Sequence, residues 1–482
     1  MRGRKQLPPT QCFCYGAVTC CPKFISSFNV WFRGQDAASE AHHSRNTHVA
    51  SHFLMKNSTT KIKRQFFDSL KRGTGEAYLI LNANSDIDFS DYLVKGGTTN
   101  YALDQQSEGS RAKYIYGLIK KSKHRYKIAK AILKNLMTEK KDYWGLEQMC
   151  DLAVLFNKDG IIGAKEALYL RFEKNGRPNY EFCGQDQIIK VDGLKGLLKV
   201  AEVVGRSLNK NKDDWEDSWR VDEFQKKNKS IDVYKELEKA SRKNKNIKSY
   251  FDSIKENKRK PYKRTKFKKF TYDLVKQKIE DNQFRIISTD RANDLSDREV
   301  KKLADDFLAE KELSKKEAYL RFFSKRQFPY GFKSIYEIAT SRQGKKSRLN
   351  EFALDALRYF SNTKIRKLAL DKFKTQKNPC DYLSLLVSNY KKGDHKILKD
   401  IINRSDDYDY VHSLVFGLID IYESNPTTDC QLPLVTLYSK MNCGIHRADI
   451  VRIMQANNAL PDRIRSELKF DSSGTVRELD RV

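Results

Sequence analysis

The turn Ser361-Asn362-Thr363 leads into Lys364-Ile365-Arg366-Lys367-Leu368-Ala369-Leu370-Asp371-Lys372-Phe373, and the reading of this stretch decides the fold. Ile365, Ala369 and Phe373 recur every four residues, which places them on one face of a helix. Alanine at 369 leaves room for a neighbouring helix, Leu370 fills the layer between neighbours, and Arg366 is placed to cap or bridge the turn of an adjacent unit. One helix earlier, Arg348, Ala353, Leu354 and Leu357 carry the same kind of spacing. Asp471-Ser-Ser-Gly-Thr-Val476-Arg477-Glu478-Leu479 repeats the introduction near the end of the chain. It predicts a last unit, packed through Val476 and Arg477, that starts and is cut short.

The same spacing extends outward over most of the 482 residues. From Met55 onward apolar residues recur at three- and four-residue intervals and are interrupted by Gly, Asn, Asp, Pro or short polar clusters. Ile62, Phe66, Phe67 and Leu70 form one face that stops at Gly73, and Ala77, Leu79, Ile80 and Leu81 form the next. Tyr114 to Ile119, Ile128 to Leu136, Trp144–Phe156, Gly160–Glu173 and Gly193–Leu208 continue the pattern. Ser296-x-x-Glu299 reads as a capping box opening another helix. Only 23 glycines and 10 prolines interrupt the chain, so helix is expected nearly throughout. A hydrophobic fraction of 39% suffices for a buried core and excludes collagen-like, disulfide-scaffold and fully disordered classes. No apolar run reaches the 18 or so residues of a membrane span, the best being Leu197–Gly205 and Ser413–Tyr422, so no membrane partner is expected.

Charge marks the boundary between two helical arms. The chain carries 92 Lys+Arg against 62 Asp+Glu, a formal net charge of +30. Between Lys239 and Lys278 there are 16 basic residues and three acids, Asp252, Glu256 and Asp273. The centre, Lys258-Arg-Lys-Pro-Tyr-Lys-Arg-Thr-Lys-Phe-Lys-Lys-Phe270, contains Pro261 and has no helical apolar face. The expected organisation is an N-terminal arm over 55–256, a basic connector over 257–272 and a C-terminal arm over 273–482. Residues 1–54 differ in character, holding four of the nine cysteines (Cys12, Cys14, Cys20, Cys21) and four of the eight histidines. They read as a disordered tail or spurious upstream extension; a secretory leader is rejected because the Cys12–Cys21 stretch is short and runs into Pro22-Lys23. Cys-x-Cys and adjacent Cys20-Cys21 are spaced too tightly for an ordinary zinc knuckle. The other five cysteines are dispersed, as small buried thiols of a reducing, cytoplasmic compartment are.

The arrangement of Asx-rich turn, hydrophobe-Arg pair and small-apolar pair in Ser361–Phe373 resembles the second helix of a HEAT repeat. Tyr319-Leu-Arg-Phe-Phe-Ser-Lys-Arg-Gln-Phe-Pro329 and Leu437-Tyr-x4-Cys443-x2-His446-Arg447 in the C-terminal half look like bacterial HEAT-repeat proteins of unassigned function. Arg72-Gly-Thr-Gly-Glu-Ala-Tyr78 and Glu108-Gly-Ser-Arg-Ala112 in the N-terminal half are similar to the same group. The resemblance implies an all-α, right-handed α-solenoid of HEAT-like helix pairs in two arms. It implies a non-enzymatic scaffold or adaptor that binds another macromolecule, most naturally a protein, with no cofactor. His446 stands where such proteins carry a second cysteine, so the resemblance does not by itself carry over a metal or thiol role there.

Each remaining constellation has a plainer reading beside its functional one. The basic stretch, with Lys258, Arg259, Lys260, Lys263, Arg264, Lys266, Lys268 and Lys269, suits phosphate contact. Arg242, Lys243 and Lys245 extend it, and Tyr262, Phe267, Phe270 and Tyr272 are interleaved for stacking on bases. A nucleic-acid-binding solenoid is therefore the first alternative, a solvated linker the plain reading. Asp213-Asp214-Trp215-Glu216-Asp217-x-Trp219 places carboxylates beside tryptophans as some HEAT-like DNA glycosylases do, a second alternative; bunched carboxylates more often cap a helix start. Cys430, Cys443 and His446 lack a second ligand pair, so no metal is assigned to them. Arg72-Gly-Thr-Gly-Glu76 lacks the Gly-Lys-Ser/Thr ending of a nucleotide loop and reads as a tight interhelical turn. His124, His395 and His412 stand apart, and no catalytic set can be singled out. Ala369→Asp is expected to lower stability by several kcal/mol, on the order of the cost of burying an unpaired charge. An unchanged melting temperature would contradict the packing register read from 361–373.

Overall fold

The computed structural model describes residues 46–139, 142–174, 182–211, 213–259, 269–285, 287–341 and 348–481, with side chains from 58 onward. Every regular element among them is a helix, and no strand occurs. The first helix, Asn46–Arg72, starts upstream of Met55 and ends where Gly73 takes a φ of +78°. Glu76–Ala83 follows directly, so Arg72–Glu76 is an interhelical turn, with Ser69 and Arg72 bonded to the Glu76 carboxylate at 2.6 and 3.2 Å. The Ser296–Glu299 capping box is formed. Within Gln185–Lys210 the backbone breaks helical geometry at Gly193, where the apolar period begins. Most of the remaining helices are short, and the longer ones bury one apolar stripe each, the arrangement a chain poor in Gly and Pro settles into.

The buried side chains form two clusters, one running from Phe66 to Ile254 and the other from Phe270 to Val476. Packing partners are close in sequence. Ala112–Lys121 packs on Tyr143–Lys158, which packs on Gln185–Lys210, which packs on Lys245–Glu256. In the second half Leu313–Phe323 packs on Leu349–Leu357, then come Cys380–Leu386, Val415–Ser424, Gly444–Ala456 and Gly474–Glu478, each against the next. Ile365, Ala369, Phe373, Ala353, Leu354, Leu357 and Val476 are buried, and Leu370 is half-buried against the same core. Arg366 spans to the following turn, bonding both oxygens of Asp394 at 2.7 and 2.8 Å and the Asn389 carbonyl at 2.7 Å. Arg348 instead pairs with Glu351 in its own helix, and Arg477 bonds the Asp471 and Ser472 carbonyls of its own turn.

The two halves also meet away from the basic connector, because the last described turns dock on the end of the first described helix. Arg447 is fully buried. Its guanidinium bonds both oxygens of Asp471 at 3.0 and 2.8 Å, the Arg72 carbonyl at 2.7 Å and the Asn442 carbonyl at 2.9 Å. From the other half, Arg111 bonds the Lys71 carbonyl at 2.6 Å and the same Asn442 carbonyl at 3.0 Å. Two arginines thus satisfy the unpaired carbonyls at the end of the first helix, where its dipole favours positive charge. Glu108 accepts the Gly444 N–H at 3.0 Å, Ser472 N–H donates to the Gly73 carbonyl at 2.8 Å, and Phe470 stacks on Tyr78 at 5.1 Å. Gly75 lies so close to the Glu467 carbonyl that a Cβ would collide with it. Eleven residue steps separate Arg259, tied to Asp217, from Phe270, tied to Asp294. Such a stretch reaches about 40 Å at most, so the halves are tethered at one place and docked at another.

Breaking one partner of a buried ion pair leaves the other charge uncompensated, at a cost of about 3–5 kcal/mol. Asp471→Asn is expected to destabilise the protein by that order, and Gly75→Ala to open the docked ends. Denaturant melts, together with protease cutting near Gly73 and Ser472, check both, and an Asp471→Asn protein as stable as the parent would exclude the closure described.

Candidate interaction surface and polar sites

The acidic-aromatic loop and the start of the basic connector, some 40 residues apart in sequence, come together. The loop before Trp219–Lys227 is pinned to Lys245–Glu256 by Ser253, whose hydroxyl accepts the Glu216 N–H at 2.8 Å and donates to the Glu216 carbonyl at 3.1 Å. Asp217, one residue before the N-cap Ser218, accepts the Trp219 N–H at 2.9 Å and Arg259 Nε at 2.6 Å. Arg259 N–H also donates to the Ser218 hydroxyl at 3.1 Å. Arg220 is held by Asp186 at 2.8 Å and Glu216 at 2.9 Å. Its guanidinium and that of Arg259 lie 5.9 and 6.0 Å from the Trp219 ring. Within this tightly bonded frame Trp215 is 60% and Trp219 41% exposed.

Of the basic residues expected to contact phosphate, Lys258, Arg259 and Lys269 are exposed. Lys258 lies over the Tyr234 ring at 5.7 Å, and Arg259 is already paired with Asp217. Lys260, Lys263, Arg264, Lys266 and Lys268, with Tyr262 and Phe267, lie outside the described residues. Phe270 and Tyr272, expected to be free for base stacking, are committed to the fold. Phe270 is buried beneath Arg291 at 4.8 Å, and Tyr272 donates to Asp306 at 2.9 Å. Arg242 pairs with Glu238 at 3.0 Å, while Lys243 and Lys245 are exposed.

The chemistry-bearing residues group differently from their sequence spacing. Cys430 does not join Cys443 and His446; His412, expected to stand apart, does. His395 Nδ1 lies 3.3 Å from Asp429, and His124 Nε2 3.9 Å from Asp88. At the docked ends Glu467 is 2% exposed. Burial, then the nearby Glu76 and Asp471 carboxylates, push its carboxyl up to about 7 against the opposing pull of Arg463. Burial does the same to Glu147, also to about 7. No element-level sequence signal marks these acids; the segments 72–78, 108–112, 443–447 and 471–477 are distinctive in sequence, but only their convergence explains them. Among the described residues no helix is long and apolar enough to cross a membrane.

A carboxyl with a folded pKa above its unfolded value contributes stability that is full below about 4.5 and lost as pH rises through about 7. Thermal melts across that window are expected to show Glu467→Gln gaining on the parent protein as pH increases. Parallel curves would refute the burial-driven shift. No family model, no curated protein and no solved structure matches this chain.

Proposed function

We propose that the chain is a non-enzymatic, cytoplasmic α-solenoid scaffold of HEAT-like helix pairs that binds another protein through the surface around Trp215 and Trp219. The observation that carries this reading is the pair of exposed tryptophans, Trp215 on a loop pinned by Ser253, Asp217 and Arg259 and Trp219 at the start of the helix that follows. Large exposed aromatic surface beside arginine is the composition of binding hot spots. The excess of positive charge favours an acidic partner through steering.

The solenoid reading is supported by a device that recurs along the second half. Asn389 accepts the Asn362 N–H at 2.8 Å and donates to the Phe360 carbonyl at 2.9 Å. Asn457 likewise accepts the Thr427 N–H at 2.5 Å and donates to the Tyr422 carbonyl at 3.3 Å. Each asparagine joins its helix end to the preceding interhelical turn, as stacked repeats require. Arg366–Asp394 and Arg447–Asp471 form a second recurring pair. Exposed Lys258 and Lys269, bracketing the rest of the basic run, favour nucleic acid as the second reading.

Replacing Trp215 by a photo-crosslinking amino acid in the source cell is expected to trap a protein adduct. Trp219→Ala is expected to weaken capture of that partner about tenfold or more, with the melting temperature unchanged. Titration with single- and double-stranded DNA and RNA at low and physiological salt separates the readings. Binding that persists at physiological salt and is lost when the basic run is neutralised would replace the protein partner with nucleic acid.

A further inference from the structure

Beside the docked chain ends, three metal-ligating side chains from two helices converge. His412 lies near the end of the short helix Tyr408–Ser413, while Cys443 occupies the N-cap of Gly444–Ala456 and His446 its first turn. A ring nitrogen of each histidine and the Cys443 Sγ all lie within 4.8 Å of one another. The two imidazoles meet edge to face at 4.4 Å, and Phe416 covers His446 edge-on at 5.0 Å. His446 is only 6% exposed, yet its buried Nδ1 has no hydrogen-bond partner. Native folds rarely leave such a nitrogen unsatisfied, and each instance calls for an occupant or a role.

We propose that His412, Cys443 and His446 bind one borderline-soft divalent metal ion of the zinc type. Two imidazoles and one thiolate form a donor set that suits zinc, whereas calcium and magnesium require oxygen. With metal–sulfur and metal–nitrogen bonds of about 2.3 and 2.0–2.1 Å, tetrahedral ligands stand roughly 3.3–3.6 Å apart. Side-chain rotations that draw the three atoms together by up to about 1.5 Å bring them to that spacing.

Burial and the neighbouring His412 hold the His446 imidazole down at about 4, and burial also lowers His412. A neutral imidazole is the form that donates a lone pair to a metal. Burial pushes the Cys443 thiol up, so on binding the ion displaces one proton, which passes to solvent as the sulfur–metal bond forms. Three protein ligands leave a fourth position for water on the half-exposed His412 side. Arg447, which holds the chain ends together, directly follows His446. An ion joining the two helices therefore fastens the helix that carries the closure.

The test uses the full chain with Cys12, Cys14, Cys20 and Cys21 changed to serine, reduced and stripped with chelator, then titrated with Co2+ and with Zn2+. The expected result is one ion per chain, a thiolate-to-cobalt charge-transfer band, one proton released, and a higher melting temperature with Zn2+. Cys443→Ser is expected to remove the band. His412→Ala, at the more exposed ligand, is expected to weaken Zn2+ binding at least tenfold and abolish the thermal shift while leaving the apo melting temperature unchanged. Cys430→Ser is expected to change none of these. Absence of a thiolate band in the parent, a band that survives Cys443→Ser, or a thermal shift that survives His412→Ala would each overturn the proposal.

Discussion

The guanidinium of Arg447 is the interaction on which the arrangement of the whole chain depends. It has no exposure to water, so every donor it carries has to be met inside the protein. Asp471 meets two of them, and the carbonyls of Arg72 and Asn442 meet others. Those partners come from the first described helix, from the turn before Gly444–Ala456 and from the last described turns. An extended stack of helix pairs needs contacts only between neighbours in sequence. Here the terminal carbonyls of Asn46–Arg72 are satisfied by arginines from both halves, so the beginning and the end are bound into one polar network.

That network constrains what surrounds it. The Gly73–Gly75 turn has to pass against Ser472 and Glu467 with no side chain between, and Gly444 against Glu108 and Ser473. Glu467 is drawn into the same dry region, where burial and neighbouring carboxylates keep its carboxyl protonated far more readily than an exposed one. The His412, Cys443 and His446 group lies one residue from Arg447. The Trp215–Trp219 loop belongs to a separate frame, secured by Ser253, Asp217 and Arg259. The protein thus places its closure and its exposed aromatic surface on different helices.

Elements governed by neighbours in sequence were legible. The Ile62–Leu70 face ends at Gly73, the capping box opens at Ser296, and the helix over Gln185–Lys210 bends at Gly193. The first two depend on interactions spanning four residues or fewer, whereas the apolar spacing starts the third helix at Gly193 and misses the turns from Gln185 that precede the bend. Spacing misled where the partner was remote. Sequence order groups Cys430 with Cys443 and His446 and sets His412 apart, whereas the fold brings His412 to them and leaves Cys430 out. Phe270 and Tyr272 carry the composition of a base-stacking surface, yet burial beneath Arg291 and a bond to Asp306 commit them to packing.

The sequence by itself determined the secondary structure: scarce breakers, apolar residues on one helical face after another, and caps at their starts dictate helix through local physics. It also marked the segments that matter, Arg72–Tyr78, Glu108–Ala112, Cys443–Arg447 and Asp471–Arg477, without saying that they meet. Only the tertiary structure decided that, because the pairings Arg111 with Asn442, Glu108 with Gly444 and Arg72 with Arg447 join residues more than 300 positions apart. A period of three to four residues specifies which face of a helix is buried, not which distant helix end lies against it. That choice is made by the need to satisfy a buried guanidinium and the open carbonyls of the first helix in the same place.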